Sequence, residues 1–222
     1  MKNAIKANFK TEIFPIIIIA LTLISSFYFY NVFPEKVPVH WNIEGQADSW
    51  GSKEFGAFFF PVVIVFIYLL LLFMPNIDPK KDRYKDFSKV YLVFKSILIV
   101  FFCLIYFASS LFAIGYDLPI SVIVPVSIGI IFIIIGNYMS KIKINWMFGI
   151  RTPWTLSSEQ VWNKTHRFGG WAFISGGLLI IFSGLGPVIL KAYIFVTAII
   201  GIVFGTIVYS YFAYSKENSL KK

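Results

Sequence analysis

One cysteine, two histidines and eleven acidic residues are all that this 222-residue chain offers for redox, metal and acid–base chemistry. The lone Cys103 excludes a disulfide framework and a Cys-based metal site; within its apolar run it reads as a small packed or lipid-facing side chain. Patterns that place catalytic groups are missing too: there is no Gly-x-Ser-x-Gly elbow, no His-Glu-x-x-His and no P-loop. Charge is scarce, with 14% of residues Asp, Glu, Lys or Arg, which is too little to clothe a soluble domain.

What the chain has instead is apolar residues, 58% of the total, and aromatics, 19%. They come in blocks. A bilayer's ~30 Å hydrocarbon layer needs roughly 20 residues of helix, and six blocks reach that length: 13–33, 55–73, 90–114, 119–138, 171–190 and 192–214. Only helices satisfy their own backbone hydrogen bonds in an open chain within lipid, and the blocks lack the alternation of a barrel strand. The expected fold is an all-α integral membrane protein, a six-transmembrane-helix bundle. Its first block exceeds the ~7–15 residues of a signal-peptide core and no small-x-small site follows, so it reads as a retained signal anchor. Three stretches follow in order: 1–75 with an outer loop at 34–54, a central helix pair at 76–138, and a C-terminal region at 139–222.

The net charge of +9 does not point to nucleic acid, because the basic residues sit at span ends, where they set orientation. Lys2, Lys6 and Lys10, the 80–89 and 141–167 loops, and Lys216, Lys221 and Lys222 fall on one side; Lys36, Lys53 and Lys191 are all that alternate loops hold. Both termini are therefore expected in the cytoplasm, which places His40 and His166 on opposite membrane faces, unable to share a site. Lys95 lies within a span, close enough to its end for its stem to snorkel to the interface. No carboxylate falls near the middle of a span, which argues against ion-coupled transport. A transporter would have to use groups such as Ser25, Ser26, Ser109, Ser110 and Asn137, more often helix–helix hydrogen-bond partners. Gly201 and Gly205 form a small-xxx-small pattern for close packing, within the bundle or against a second copy of the chain.

Two polar segments stand out between the spans. The outer loop carries Pro38-Val-His40-Trp41-Asn42, then Gly45, Asp48 and Trp50. It reads either as a compact ordered loop resting on the bilayer or as a recognition surface for a cationic or amphipathic peptide, built from His40, Trp41, Asn42, Gly45 and Asp48. A metal site of His40, Glu44 and Asp48 is opposed by Pro38 and Gly45, which break the helix that would align them. On the other side, 141–148 alternates polar and apolar residues like an extended strip along the headgroups. Ser157 with Gln160 suggests a capping box starting a helix near Ser158 that leads into the fifth span. On that helix Val161, Thr165 and Phe168 share one face, and Glu159, Asn163 and His166 another. The helix reads as interfacial and amphipathic, or as a docking surface or inner gate; Glu159, His166 and Ser157 or Ser158 show no oxyanion partner for an enzyme, the remaining alternative.

These two segments carry a family resemblance. The Pro-x-His-Trp-Asn-x-x-Gly run of residues 38–45 resembles the DUF1648 domain, and 149–170 resembles the C-terminal signature of the SdpI-type immunity family of bacterial membrane proteins. The resemblance implies a multi-pass protein of the bacterial cell membrane that gives resistance to a secreted peptide toxin without enzymatic activity, cofactor or metal. It further implies that the outer-loop residues face the toxin. By the same likeness Arg151, Thr152, Pro153, Trp154, Trp162, Asn163, His166 and Arg167 would face the cytoplasm and hold a transcriptional repressor.

Overall fold

The computed structural model describes residues 9–219; Lys2, Lys6, Lys221 and Lys222, part of the basic tails used to orient the chain, lie outside the described residues. The apolar blocks form helices throughout. In order come α1 (Phe9–Val32), a hairpin of β1 (Lys36–Trp41) and β2 (Ala47–Ser52), α2 (Lys53–Ile77), a 3₁₀ turn (Lys81–Phe87), α3 (Ser88–Ala113), α4 (Ile120–Met139), the short α5 (Pro153–Ser157), α6 (Glu159–Leu185) and α7 (Val188–Ser219). Six of these are long and apolar enough to cross a membrane, and their outward Phe14, Phe66, Phe182 and Phe204 are exposed on the isolated chain as lipid-facing side chains are. The fifth and sixth spans start earlier than the hydropathy suggests, at Glu159 and Val188, with the turn between them at Gly186 and Pro187.

The helices group as α1–α3 and as α4, α6 and α7, meeting mainly along a seam between α3 and α4 that runs through the 76–138 stretch. Within the second group α4 and α6 approach until backbones touch. A Cβ on Gly136 would lie 2.6 Å from the Gly170 carbonyl oxygen, and one on Gly129 2.5 Å from that of Gly177, so only glycine fits. The Gly201/Gly205 pattern has no such partner in the bundle. A Cβ on Gly201 would meet nothing within 4 Å among the described residues, and one on Gly205 only the Phe168 ring at 3.9 Å.

The first group is locked by an ion pair in place of the expected snorkelling lysine. Lys95, 2% exposed, turns inward and donates to both carboxylate oxygens of Glu12, at 2.7 and 2.6 Å. Glu12, 6% exposed, sits in the first turn of α1 and also accepts from the Tyr68 hydroxyl of α2 at 2.9 Å. Three helices thus converge on one carboxylate. Two charges neutralise each other there more completely than a lysine alone could by reaching for water.

The loop at 34–54, expected to be compact and ordered, is a β-hairpin. Its two strands are antiparallel, with register irregularities beside His40. Asn42 shapes the turn: its side-chain oxygen accepts from the backbone N–H groups of Glu44 and Gln46, both at 3.0 Å, and Gly45 takes φ +83.

Candidate functional site

Polar structure gathers at opposite ends of α3, the hairpin at its C-terminal end and the 141–158 segment at its start. At the hairpin end Val37 is buried against Phe29, Phe33, Ala57 and Tyr106, which anchors β1 to the first helix group. The tip reaches across the seam, since a Cβ on Gly45 would collide with the Ser121 backbone nitrogen of α4 at 2.9 Å. The hairpin therefore roofs the gap between the two groups.

Beneath it lies a cavity of about 430 Å³, walled by Trp41, Asn42, Phe60, Ile105, Pro125 and Phe195 among others. The cavity is largely apolar and carries few polar groups. Trp41 stands edge-on to Phe112 with centroids 5.8 Å apart, and its buried Nε1 has no hydrogen-bond partner among the described residues. Lys191, 8% exposed, also lines the wall, and among the described residues its ammonium reaches only the Ser121 carbonyl oxygen, at 3.4 Å. On the rim the His40 Nδ1 and the Asp48 carboxylate lie 2.5 Å apart across the two strands. A second, smaller cavity of about 180 Å³ lies between the hairpin base and α2 and α3. A cation without a carboxylate partner among the described residues, set in an apolar wall, suits a molecule with a hydrophobic body and an acceptor group. Of the residues singled out from sequence, His40, Trp41, Asn42, Gly45 and Asp48 all belong to this hairpin, and Lys191 and Ser183 join them from distant positions.

At the other end the 141–150 segment is folded inward rather than laid out as a surface strip. Ile142, Ile144, Asn145 and Phe148 are buried, and Phe148 packs among Phe87, Tyr91 and Phe94 at the start of α3. Two side chains hold its backbone. Asn145 accepts from the N–H groups of Met147 and Phe148 and donates to the carbonyls of Lys143 and Phe148. Asp78, 1% exposed, accepts from Trp146 N at 2.9 Å, Met147 N at 3.1 Å, Lys80 N at 2.7 Å and the Tyr84 hydroxyl at 3.0 Å. Sequence reasoning passed over Asp78; its one signal was an acidic residue opening a run of lysines just after Pro75.

The 149–170 segment then divides into groups that build and groups that show. Trp162 is fully buried and its Nε1 donates to the Ile142 carbonyl at 2.8 Å. His166, buried too, stacks on Trp162 at 4.0 Å. Its Nε2 accepts from the Ile150 backbone N–H at 3.0 Å, which leaves the proton on Nδ1, 2.9 Å from the Trp162 carbonyl oxygen. His166 is therefore not on the open face with Glu159 and Asn163, because α6 is covered by the 141–150 segment as well as by α7. Gly149 completes the arrangement with φ +112, where a Cβ would lie 2.5 Å from His166 Nε2.

The capping box also sits elsewhere than expected. Thr152 and Thr155 cap α5 reciprocally, and Ser158, extended at φ −143, caps α6 by accepting from Val161 N. Thr152 reaches Ser210 at 3.0 Å and Ser158 reaches Glu217 at 2.6 Å, both on α7. Glu159 pairs with Arg83 of the 3₁₀ turn, so Ser157, Glu159 and His166 have separate partners and do not converge. Arg151, Pro153, Asn163 and Arg167 remain exposed, and Trp154 is half-buried against Tyr211.

The architecture defines a multi-pass helical membrane protein with ordered polar structure at both ends of its bundle. Residues 141–213 match the model of the SdpI/YfhL protein family, and residues 17–65 match the domain of unknown function DUF1648. The immunity protein SdpI of Bacillus subtilis (strain 168) is 33% identical over 171 residues, 77% of this chain and 80% of that protein. The chain belongs to the SdpI family. No solved structure matches it significantly.

Proposed function

We propose that this protein protects the cell that makes it from a secreted antimicrobial peptide, by binding the peptide at the hairpin end. The relative's name supplies immunity, and the peptide is this proposal's own step. The observation that supports the hairpin end is the cavity of about 430 Å³ under it, with its apolar walls. An amphipathic peptide lying on the membrane surface would put an apolar side chain into the cavity and its backbone against His40, Asn42 and Asp48. In this reading the hairpin faces outward, both termini are cytoplasmic in accord with the basic loops, and the membrane is the bacterial cell membrane. The protein acts by association, without catalysis. Expression in a toxin-sensitive bacterial strain should raise survival against purified SDP-type peptide, and no gain at full membrane abundance would overturn the proposal.

A second role, holding a cytosolic repressor, is favoured by the exposure of Arg151, Asn163 and Arg167 on a segment rigidly tied to α7. These groups would meet an acidic partner surface. A repressor-controlled reporter in toxin-challenged cells should stay silent with an R151A/R167A variant that still protects. A reporter that switches on as with the native protein would remove this surface from signalling.

A further inference from the structure

The α3–α4 seam opens at the Asn145 end into a groove of about 780 Å³, walled by the 3₁₀ turn, the first turn of α3 and the residues just past α4. Four lysines line it from two separate stretches of chain: Lys85 and Lys89, then Lys141 and Lys143. Lys85 is paired with Asp82 at 3.3 Å, and the one carboxylate on the wall, Asp86, lies 3.8 Å from Arg83. Among the described residues, Lys89, Lys141 and Lys143 have no carboxylate partner. Lys141 instead sits over the Tyr138 ring, 4.9 Å from its centroid. Three cations are thus gathered without an ion pair among the described residues, Asp86 being the one carboxylate on the wall.

The groove also has an apolar side: Val90, Val93 and Tyr138 line it beside the lysines. A basic head joined to an apolar side, with the lysines at the ends of two spans, matches the charge and chemistry of a phospholipid. A soluble anion would use only the lysines. We propose that this is a binding site for an anionic phospholipid, its phosphate held by Lys89, Lys141 and Lys143 and its glycerol end set against Val90, Val93 and Tyr138. Because the site straddles the seam between the two helix groups, its occupant fastens one group to the other, and binding to the folded state alone stabilises it.

The test uses the purified full-length protein in neutral detergent, titrated with phosphatidylglycerol or with phosphatidylcholine of the same acyl chains. Phosphatidylglycerol is expected to raise the thermal midpoint by about 3 °C or more, and phosphatidylcholine not to. A K89Q/K141Q/K143Q variant should keep its lipid-free midpoint and bind phosphatidylglycerol on the order of a hundredfold more weakly. K141Q and K143Q alone should each lose several-fold, which keeps the test decisive if the triple variant fails to fold. An unchanged response in the lysine variants, or equal stabilisation by phosphatidylcholine, would overturn the site. The full shift produced by inorganic phosphate alone would overturn its assignment to a lipid.

Discussion

Replacing Lys95 by methionine should destabilise the protein by about 3–5 kcal/mol, because it leaves the Glu12 carboxylate buried without its cation. The methylene stem is kept, so packing changes little and the loss reports the charge. Glu12 must then take up a proton or draw water into the bundle, with the neutral hydroxyls of Tyr68 and Thr11 left to it. A combined E12Q/K95M variant should recover most of the loss, since two neutral groups carry a far smaller desolvation cost. The thermal midpoints of the four proteins form a double-mutant cycle that isolates the pair. If the two single substitutions are mild and simply additive, the ion pair is not what joins α1 to α3.

Asp78→Ala should cost about 3 kcal/mol or more and act locally. Four donors converge on this one carboxylate, two of them backbone N–H groups of the 141–150 segment. Removing the acceptor leaves the Trp146 and Lys80 N–H groups without it, and leaves Met147 N–H and the Tyr84 hydroxyl with Asn145 Oδ1 alone. With Trp146 and Met147 released, the segment that covers Trp162 and His166 should open and become a protease target. Asp78→Asn should be intermediate, since its NH2 group faces backbone donors and one oxygen remains. Protease resistance of 141–150 equal to the native protein in the alanine variant would show that Asn145 and the Phe148 cluster suffice.

The spans were legible because a helix in lipid is written in uninterrupted hydropathy, a property of neighbouring residues. The polar anchors were not, because each is a long-range pairing. Glu12 lies 83 residues from Lys95 and just outside the first apolar block, so nothing near Lys95 announced a partner. Asp78 acts on backbone groups 68 and 69 residues away. The hairpin hid because β1 contains Pro38 and β2 is polar with two small residues at its end; its strands are held by docking on α2, α3 and α4 more than by strand propensity. His166 shows the same limit on a helix. Its spacing from Asn163 and Glu159 put it on a polar face, but a non-helical segment covers that side and turns a presumed contact group into a structural one. The motifs themselves were visible in 149–170 and around His40, where residue types too specific for a plain linker cluster together.

Immunity is proposed to depend on the hairpin that roofs the larger cavity at this end of the bundle. Survival of a toxin-sensitive strain should be measured against purified SDP-type peptide, with native protein and a W41A/D48A variant at matched membrane abundance. Survival is expected with the native protein and none with the variant, which loses both the indole in the cavity wall and the carboxylate paired with His40. Equal protection by the two proteins would contradict it and take toxin recognition away from the hairpin.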